Sequence, residues 1–93
     1  MLEQQIQKKI VTFLEKKGFW TIVTIVCNRS GIPDLLACDP KGRMWAIEVK
    51  TENGRASKLQ KVNIEKLLAR GGVAFICYGY DDFLMKYNNR AVT

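Results

Sequence analysis

The segment 39–42 (DPKG) joins two apolar runs, residues 33–38 and 43–50, and limits how they can pair. Proline fixes φ at about −65°, so Pro40 cannot begin the I′ or II′ turn that a two-residue hairpin loop requires. It suits the second position of a type I turn, with Gly42 as the left-handed residue of a bulge. The sequence therefore predicts a hairpin with a three-residue loop.

This register brings three charges together at one end of the hairpin. Counting outward from the loop places Asp34 opposite Glu48, with Cβ atoms about 4.5 to 5.5 Å apart, and Lys50 projects from the same face. A two-residue loop would oppose Asp34 to Ile47 and separate the carboxylates. The alternative to a functional cluster is an ion pair between Lys50 and either carboxylate, as is common at sheet edges. Both faces of the hairpin are otherwise apolar, which favours a central position and a functional cluster.

The rest of the chain alternates helix and strand patterns. Apolar residues at helical spacing predict helices over residues 2–17 and 57–70, and a short C-terminal helix over 80–87 capped by Asp81. Dense β-branched and aromatic residues predict strands over 20–26 and 73–77. The order αβββαβα indicates an α/β (α+β) fold with a mixed sheet flanked by helices. A chain of 93 residues predicts one domain, residues 1–93.

Two sets of residues are predicted to be buried. Three cysteines are odd in number, widely spaced and set in apolar segments, which predicts buried free thiols at Cys27, Cys38 and Cys77. The strand aromatics Trp20, Trp45 and Phe75 are predicted to lie in the core rather than to stack on bases. No apolar run approaches the length of about 18 residues that spans a bilayer, and the N-terminus does not resemble a signal peptide, so we expect a cytoplasmic protein with no membrane partner.

The amino-acid composition excludes several classes of catalytic site. The chain contains no histidine, which excludes Ser-His and Cys-His nucleophile pairs and histidine-based zinc sites. Fifteen Lys and Arg against nine Asp and Glu give a net charge of +6, which favours a polyanionic partner such as nucleic acid. Two adjacent carboxylates repel each other unless a cation lies between them. Because only oxygen ligands are available, we expect a hard ion, Mg²⁺ or Mn²⁺, at Asp34 and Glu48.

Further polar residues have both a functional and a structural interpretation. Glu3 lies at the start of the first helix, on the same stripe as Ile10 and Leu14; it either extends the metal site, directly or through water, or stabilises the helix N-terminus. Gln60 either contributes to the site or forms a capping box with Ser57. Four cations near the acidic cluster either contact phosphates or are solvated surface charges: Arg29, Arg55, Lys58 and Lys61.

The combined residues resemble a known nuclease family. The segments Pro33-Asp34 and Glu48-Val49-Lys50 resemble the PD-(D/E)xK nuclease motif. A longer pattern resembles the VRR-NUC domain, the virus-type replication-repair branch of that superfamily, and extends from Glu3 to about Tyr78. It comprises Glu3, Gly31-Ile32-Pro33-Asp34-Leu35-Leu36, Ile47-Glu48-Val49-Lys50, Gly54-Arg55 and Gln60.

The resemblance implies a fold and an activity. The fold is a restriction-endonuclease-like domain with an αβββαβ core, and the activity is metal-dependent cleavage of DNA. By position, Asp34, Glu48 and the Val49 carbonyl would bind the metal and Lys50 would be the catalytic lysine. Glu3, as a further metal ligand, and Gln60 would complete the site.

The expected function is a structure-selective endonuclease acting on branched or junction DNA in replication, repair or recombination, in a bacterial cell or a phage-infected host. A homodimer would suit a two-fold branched substrate. Two alternatives remain open. One is a catalytically inactive nucleic-acid-binding domain on the same fold, and the other is a Holliday-junction resolvase.

Overall fold

The computed structural model describes residues 1–91 of the chain. It is a small α+β domain with a four-stranded mixed sheet flanked by helices, in the predicted order αβββαβα. The elements are α1 (Glu3–Lys16), β1 (Trp20–Val23), β2 (Leu35–Cys38), β3 (Met44–Lys50), α2 (Lys58–Ala69), β4 (Val73–Tyr78) and α3 (Tyr80–Ala91).

The sheet has the strand order β1-β2-β3-β4, with β3 and β4 parallel and the other neighbours antiparallel. The loop between β2 and β3 has the predicted three residues. The Asp39 N–H donates to the Arg43 carbonyl at 3.0 Å, and the Gly42 N–H donates back to the Asp39 carbonyl at 2.9 Å. Gly42 has a φ of 85°, which an L side chain rarely adopts. The pairing of Leu35 with Ile47 confirms the predicted register.

Side chains of β3 point alternately to the two faces of the sheet, and the hydrophobic clusters on these faces differ in size. Trp45, Ile47 and Val49 pack under α1 and α3 in the main core, together with Phe75. The other face of the sheet carries small residues, and there Ala46 and Ala74 pack with Ile64 of α2. Because both alanines are fully buried, α2 can approach the sheet closely. Glu48 lies on this α2 face, since it alternates with Ile47 and Val49.

Two predictions of burial are wrong. Trp20 is 69% exposed, because it pairs with Cys38 on the α2 side of the sheet and α2 packs on β3 and β4 instead. Cys27 is exposed, since β1 ends at Val23 and leaves it in a loop, whereas Cys38 is partly buried and Cys77 is buried. The predictions that Trp45 and Phe75 lie in the core are confirmed.

The C-terminal helix begins as predicted but is anchored by a different residue. Asp81 lies in the first turn of α3. The side chain that hydrogen-bonds to the end of the preceding strand is that of Asp82. Its Oδ2 accepts a hydrogen bond from the Tyr78 N–H at 2.8 Å and from Lys86 Nζ at 2.9 Å. None of the helices within residues 1–91 is long and apolar enough to cross a membrane.

Candidate active site

Asp34 lies directly before β2, and its side chain continues the hydrogen bonding of the sheet where that strand ends. Its Oδ2 accepts a hydrogen bond from the Val49 backbone N–H at 3.0 Å. Because Leu35 pairs with Ile47, the same register extended by one residue places Asp34 opposite Glu48. The two carboxylates therefore lie side by side on the α2 face of the sheet.

The Val49 backbone contributes a second polar group at this edge. In an antiparallel ladder the N–H and C=O of one residue point towards the same neighbouring strand. Since the Val49 N–H meets the Asp34 side chain rather than a backbone oxygen of β2, its carbonyl projects beside Asp34, beyond the end of β2. Asp34 and Val49 line one cavity of about 310 Å³ at this end of the sheet.

Glu48 is 1% exposed, an unusual environment for a carboxylate. Its Oε2 accepts a hydrogen bond from Gln60 Nε2 at 3.0 Å and lies 3.4 Å from Lys50 Nζ. Its Oε1 is buried and, within the described chain, has no hydrogen-bond partner. A buried oxygen without a donor costs free energy, so when Glu48 is ionised this atom is a vacant acceptor beside the Asp34 carboxylate. When Glu48 is protonated, its side chain is hydrogen-bonded to Asp34.

The surroundings of Glu48 oppose its ionisation. Burial, followed by the negative charge of Asp34, raises the pKa of Glu48 from its ordinary value of 4.5 to about 7, and the Lys50 ammonium only partly offsets this rise. The ion pair with Lys50 that was the alternative to a functional cluster is thus present. It lies on the central strand β3 rather than at an edge, and it leaves one carboxylate oxygen unsatisfied.

The oxygen atoms of Asp34, Glu48 and the Val49 carbonyl are ligands of the type that a hard divalent cation prefers. A cation beside Asp34 and Glu48 would satisfy the free Oε1 atom, relieve the repulsion between the carboxylates and accept the Val49 carbonyl as a neutral oxygen ligand. Within residues 1–91 no three His, Cys, Asp or Glu side chains form a metal-binding group, so Glu3 does not join the two carboxylates directly. Glu3 is exposed and lines the same cavity as Asp34.

Gln60 serves both roles that its sequence context allows. Its Oε1 accepts a hydrogen bond from the Ser57 N–H at 2.8 Å, and the Ser57 Oγ accepts from the Gln60 N–H at 3.1 Å, which completes a capping box. At the same time its Nε2 donates to Glu48. The cap therefore fixes the side chain that orients Glu48, and helix stability and site geometry depend on one residue.

Two positioning residues were not found from the sequence. Thr24 holds the segment before β2, since its N–H donates to the Asp34 carbonyl at 2.9 Å and its Oγ1 donates to the Pro33 carbonyl at 2.9 Å. Asn63 Nδ2 donates to the carbonyls of Ser30 and Gly31 at 3.0 and 2.8 Å. Asn63 follows Gln60 by three residues on α2 and so shares its face, a signal that the sequence contained.

The four predicted phosphate-contacting cations are all exposed, but they divide into two places. Arg55 lies in the loop before α2, and Lys58 and Lys61 lie in the first turns of α2, next to Gln60. Arg29 instead lines a separate cavity of about 320 Å³ together with Lys66 of α2 and Arg70, the residue that follows this helix. These last two cations extend the positive charge along α2 and were not predicted from the sequence.

The raised pKa of Glu48 predicts how stability depends on pH. The folded protein binds the Glu48 proton more tightly than the unfolded chain does, so this stabilising contribution is complete below about pH 4.5 and is lost as pH rises through about 7. In metal-free buffer, the unfolding free energy measured with urea should fall by up to about 3 kcal/mol over this range. Unfolding free energies that do not decrease between pH 5 and pH 8 would contradict the assigned environment of Glu48.

The comparisons with known proteins agree with this geometry. The sequence profile of the VRR-NUC domain matches residues 2–81, which include Asp34, Glu48, Lys50 and Gln60. A solved structure described as a VRR_NUC domain is similar to the chain with a TM-score of 0.80 and 29% sequence identity, over 95% of each chain. No curated protein sequence matches significantly. The resemblance seen in the sequence is confirmed, and the chain belongs to the VRR-NUC family of nuclease-type domains.

Proposed function

We propose that this protein is a Mg²⁺- or Mn²⁺-dependent endonuclease that hydrolyses phosphodiester bonds in DNA. The observation that carries the proposal is the buried Glu48 Oε1, which in the ionised side chain has no donor within the described chain and lies beside a second carboxylate. An unsatisfied buried oxygen destabilises the folded domain, and such an atom is explained when a bound ligand, here a metal ion, interacts with it. Membership of a nuclease family makes DNA the natural substrate.

The residues of the site have distinct tasks in this proposal. Asp34, Glu48 and the Val49 carbonyl would hold the ion, and the bound ion would supply Lewis-acid chemistry that activates water and neutralises phosphate charge. Lys50 Nζ, 3.4 Å from Glu48 Oε2, would stabilise negative charge that develops on the phosphate and position water. Glu3 would act through water, because it lines the cavity without joining the two carboxylates.

DNA would be bound through its backbone. Exposed cations follow α2 from the site to its C-terminal end, beginning with Lys58 and Lys61 and continuing to Lys66 and Arg70. Contacts of this kind fix position without reading bases and weaken steeply with salt. We therefore propose selection of DNA by shape, with branched or junction substrates preferred, and Holliday junctions among the substrates to be compared.

The experiment that tests the function uses a panel of labelled DNAs. Linear duplex, nicked, flap and four-way junction substrates are incubated with the protein in Mg²⁺, Mn²⁺ or EDTA, and the products are resolved on a sequencing gel. We expect cleavage in either metal and none in EDTA, with branched DNA cleaved fastest. Salt-dependent binding without any cleaved product in Mg²⁺ and Mn²⁺ would instead identify a catalytically inactive nucleic-acid-binding domain.

The two roles of Gln60 can be separated by substitution. Gln60→Glu keeps the capping box, since glutamate also serves at this position, but it replaces the donor to Glu48 by a carboxylate. We expect cleavage to fall about 10- to 100-fold. Ser57→Ala removes only the hydroxyl that accepts from the Gln60 N–H, whereas the backbone N–H of residue 57 still holds Gln60 Oε1. It should lower the unfolding free energy by about 1 kcal/mol, with cleavage within a factor of about 2. Equal activity losses in both variants would mean that Gln60 acts only as a cap.

A second copy of the chain would explain the uncovered part of the α2 face. Trp20 and Ile22 of β1 and Met44 of β3 share this face and are 69%, 41% and 45% exposed. We propose that two chains pair here, which would present two sites to a branched substrate. Sedimentation equilibrium should give the mass of two chains, and Trp20→Glu should give the mass of one. A wild-type protein that sediments as one chain at high micromolar concentration would contradict the pairing.

A further inference from the structure

The loop between β1 and β2 presents two adjacent apolar side chains to solvent. Ile25 and Val26 are each 90% exposed, the highest exposure among the large hydrophobic residues within residues 1–91. Neither belongs to the two core clusters, so their apolar surface does not stabilise the fold. Contiguous apolar side chains on a surface mark a site of contact with another molecule.

The position of this pair relates it to the active site. Ile25 lines the same cavity as Asp34, Val49 and Glu3, so the loop tip forms one lip of that cavity. A substrate phosphate held beside Asp34 would have its neighbouring groups in the cavity that Ile25 also lines. The contact partner is therefore the substrate itself, at the residues that flank the reacting phosphate.

The loop is held in place at both of its ends. On one side Thr24 donates two hydrogen bonds, to the Asp34 and Pro33 carbonyls, both at 2.9 Å. On the other side Asn63 holds the Ser30 and Gly31 carbonyls. The hydrogen bond from the Thr24 N–H to the Asp34 backbone carbonyl ties the start of this loop to the residue that carries a site carboxylate.

The positive net charge of the chain indicates which kind of molecule contacts the apolar pair. The chain carries a net charge of +6, which favours a polyanionic partner. Cations that bind phosphates, next to branched apolar side chains, are the combination with which proteins insert a wedge between stacked bases. Nucleic acid supplies both an anionic backbone and an apolar base stack.

We propose that Ile25 and Val26 form an apolar wedge that opens the base stack of DNA bound at the cavity beside Asp34. This inference rests on the proposed function, because it assigns a specificity-determining contact to the same site. The wedge favours DNA in which the stack is already interrupted, as it is at a branch, a nick or an unpaired base. It thereby gives a physical basis for selection by DNA structure in a protein whose other DNA contacts are with the backbone.

The binding test reports on unstacking without cleavage. A short duplex carries 2-aminopurine at every adenine position of one strand, since the fluorescence of this base rises when it unstacks. In EDTA, saturating wild-type protein should raise the fluorescence at least about 2-fold, and the double variant Ile25→Ser/Val26→Ser should lose this rise. Met85→Gln is the matched control, because Met85 is 54% exposed on α3, and it should behave as wild type.

The cleavage test compares paired with interrupted DNA in Mg²⁺. The double variant should cleave fully paired duplex at least about 10-fold more slowly than wild type, because it no longer opens the stack. It should cleave the same sequence with one unpaired base at a rate within about 2-fold of wild type. Equal losses on both substrates, or no loss on either, would overturn the wedge.

The two proposals fail in distinguishable ways. Wild-type protein that unstacks 2-aminopurine but cleaves no DNA would refute the nuclease and keep the wedge. Wild-type protein that cleaves duplex without unstacking would refute the wedge alone. If the double substitution converts a two-chain assembly into single chains in sedimentation, the apolar pair belongs to the interface between copies, and the wedge is overturned.

Discussion

Asp34→Asn is expected to abolish DNA cleavage, with a loss of about 1,000-fold or more in Mg²⁺ or Mn²⁺. The substitution keeps the size of the side chain, and an asparagine oxygen can still accept the hydrogen bond from the Val49 N–H. What it removes is the negative charge opposite Glu48. The variant therefore tests the charge of Asp34 rather than its contribution to the sheet.

The folded state should tolerate this change. Asp34 raises the pKa of Glu48 by repulsion, so its replacement by a neutral amide should leave the unfolding free energy in metal-free buffer unchanged or slightly higher. Binding to DNA in EDTA should also be retained, because the cations along α2 are untouched. Mg²⁺-dependent cleavage by Asp34→Asn at a rate near that of wild type would refute the site.

Glu48→Gln is expected to change stability and activity in opposite directions. In metal-free buffer at pH 8 the ionised Glu48 destabilises the folded protein, since its pKa is raised from 4.5 to about 7. A neutral amide removes this cost, and its oxygen can accept from Gln60 while its nitrogen donates to Asp34. We expect a gain of up to about 3 kcal/mol in unfolding free energy, and loss of cleavage.

Thermal unfolding followed by circular dichroism measures the first effect. For a domain of this size the gain corresponds to an increase in Tm of about 10 °C or more at pH 8, and it should largely disappear at pH 4.5, where wild-type Glu48 is protonated. Millimolar Mn²⁺ should raise the Tm of the wild type and leave that of Glu48→Gln unchanged. A variant less stable than wild type at pH 8 would show that the Glu48 charge is compensated within the chain.

The hairpin register was the part of the site that the sequence could determine. Pro40 and Gly42 allow few turn geometries, and each turn geometry fixes one register, that is, which residues of the two strands face each other. The pairing of Leu35 with Ile47 followed from that choice. A one-residue error would have moved Asp34 to the opposite face, so two turn residues determined where the carboxylates meet.

Gln60 shows why the two interpretations of one residue could not be separated beforehand. Helical spacing places it at the start of α2, and Ser57 three residues earlier predicts a capping box. Whether its amide also reaches Glu48 depends on how closely α2 approaches the sheet, which is set by the small residues Ala46 and Ala74. Such tertiary distances are not encoded in the local pattern, and the amide has enough atoms to make both contacts.

The surface was harder to predict than the interior. Trp20 and Cys27 were expected to be buried because their segment is apolar, but α2 packs mainly on β4 and β3, and β1 lies at the edge of the sheet. The same segment contains Ile25 and Val26, which lie beyond the end of β1 and are 90% exposed. Apolar composition indicated a strand, whereas the position of α2 determined which of its residues are covered.

Manganese binding in the crystal tests the central claim most directly. Crystals of the wild-type protein soaked in Mn²⁺ are measured at the manganese absorption edge, and crystals of Asp34→Asn are measured as the control. We expect one anomalous peak between the carboxylates of Asp34 and Glu48 in the wild type, and none there in the variant. An empty site in fully soaked wild-type crystals, or manganese bound only elsewhere on the chain, would contradict the account.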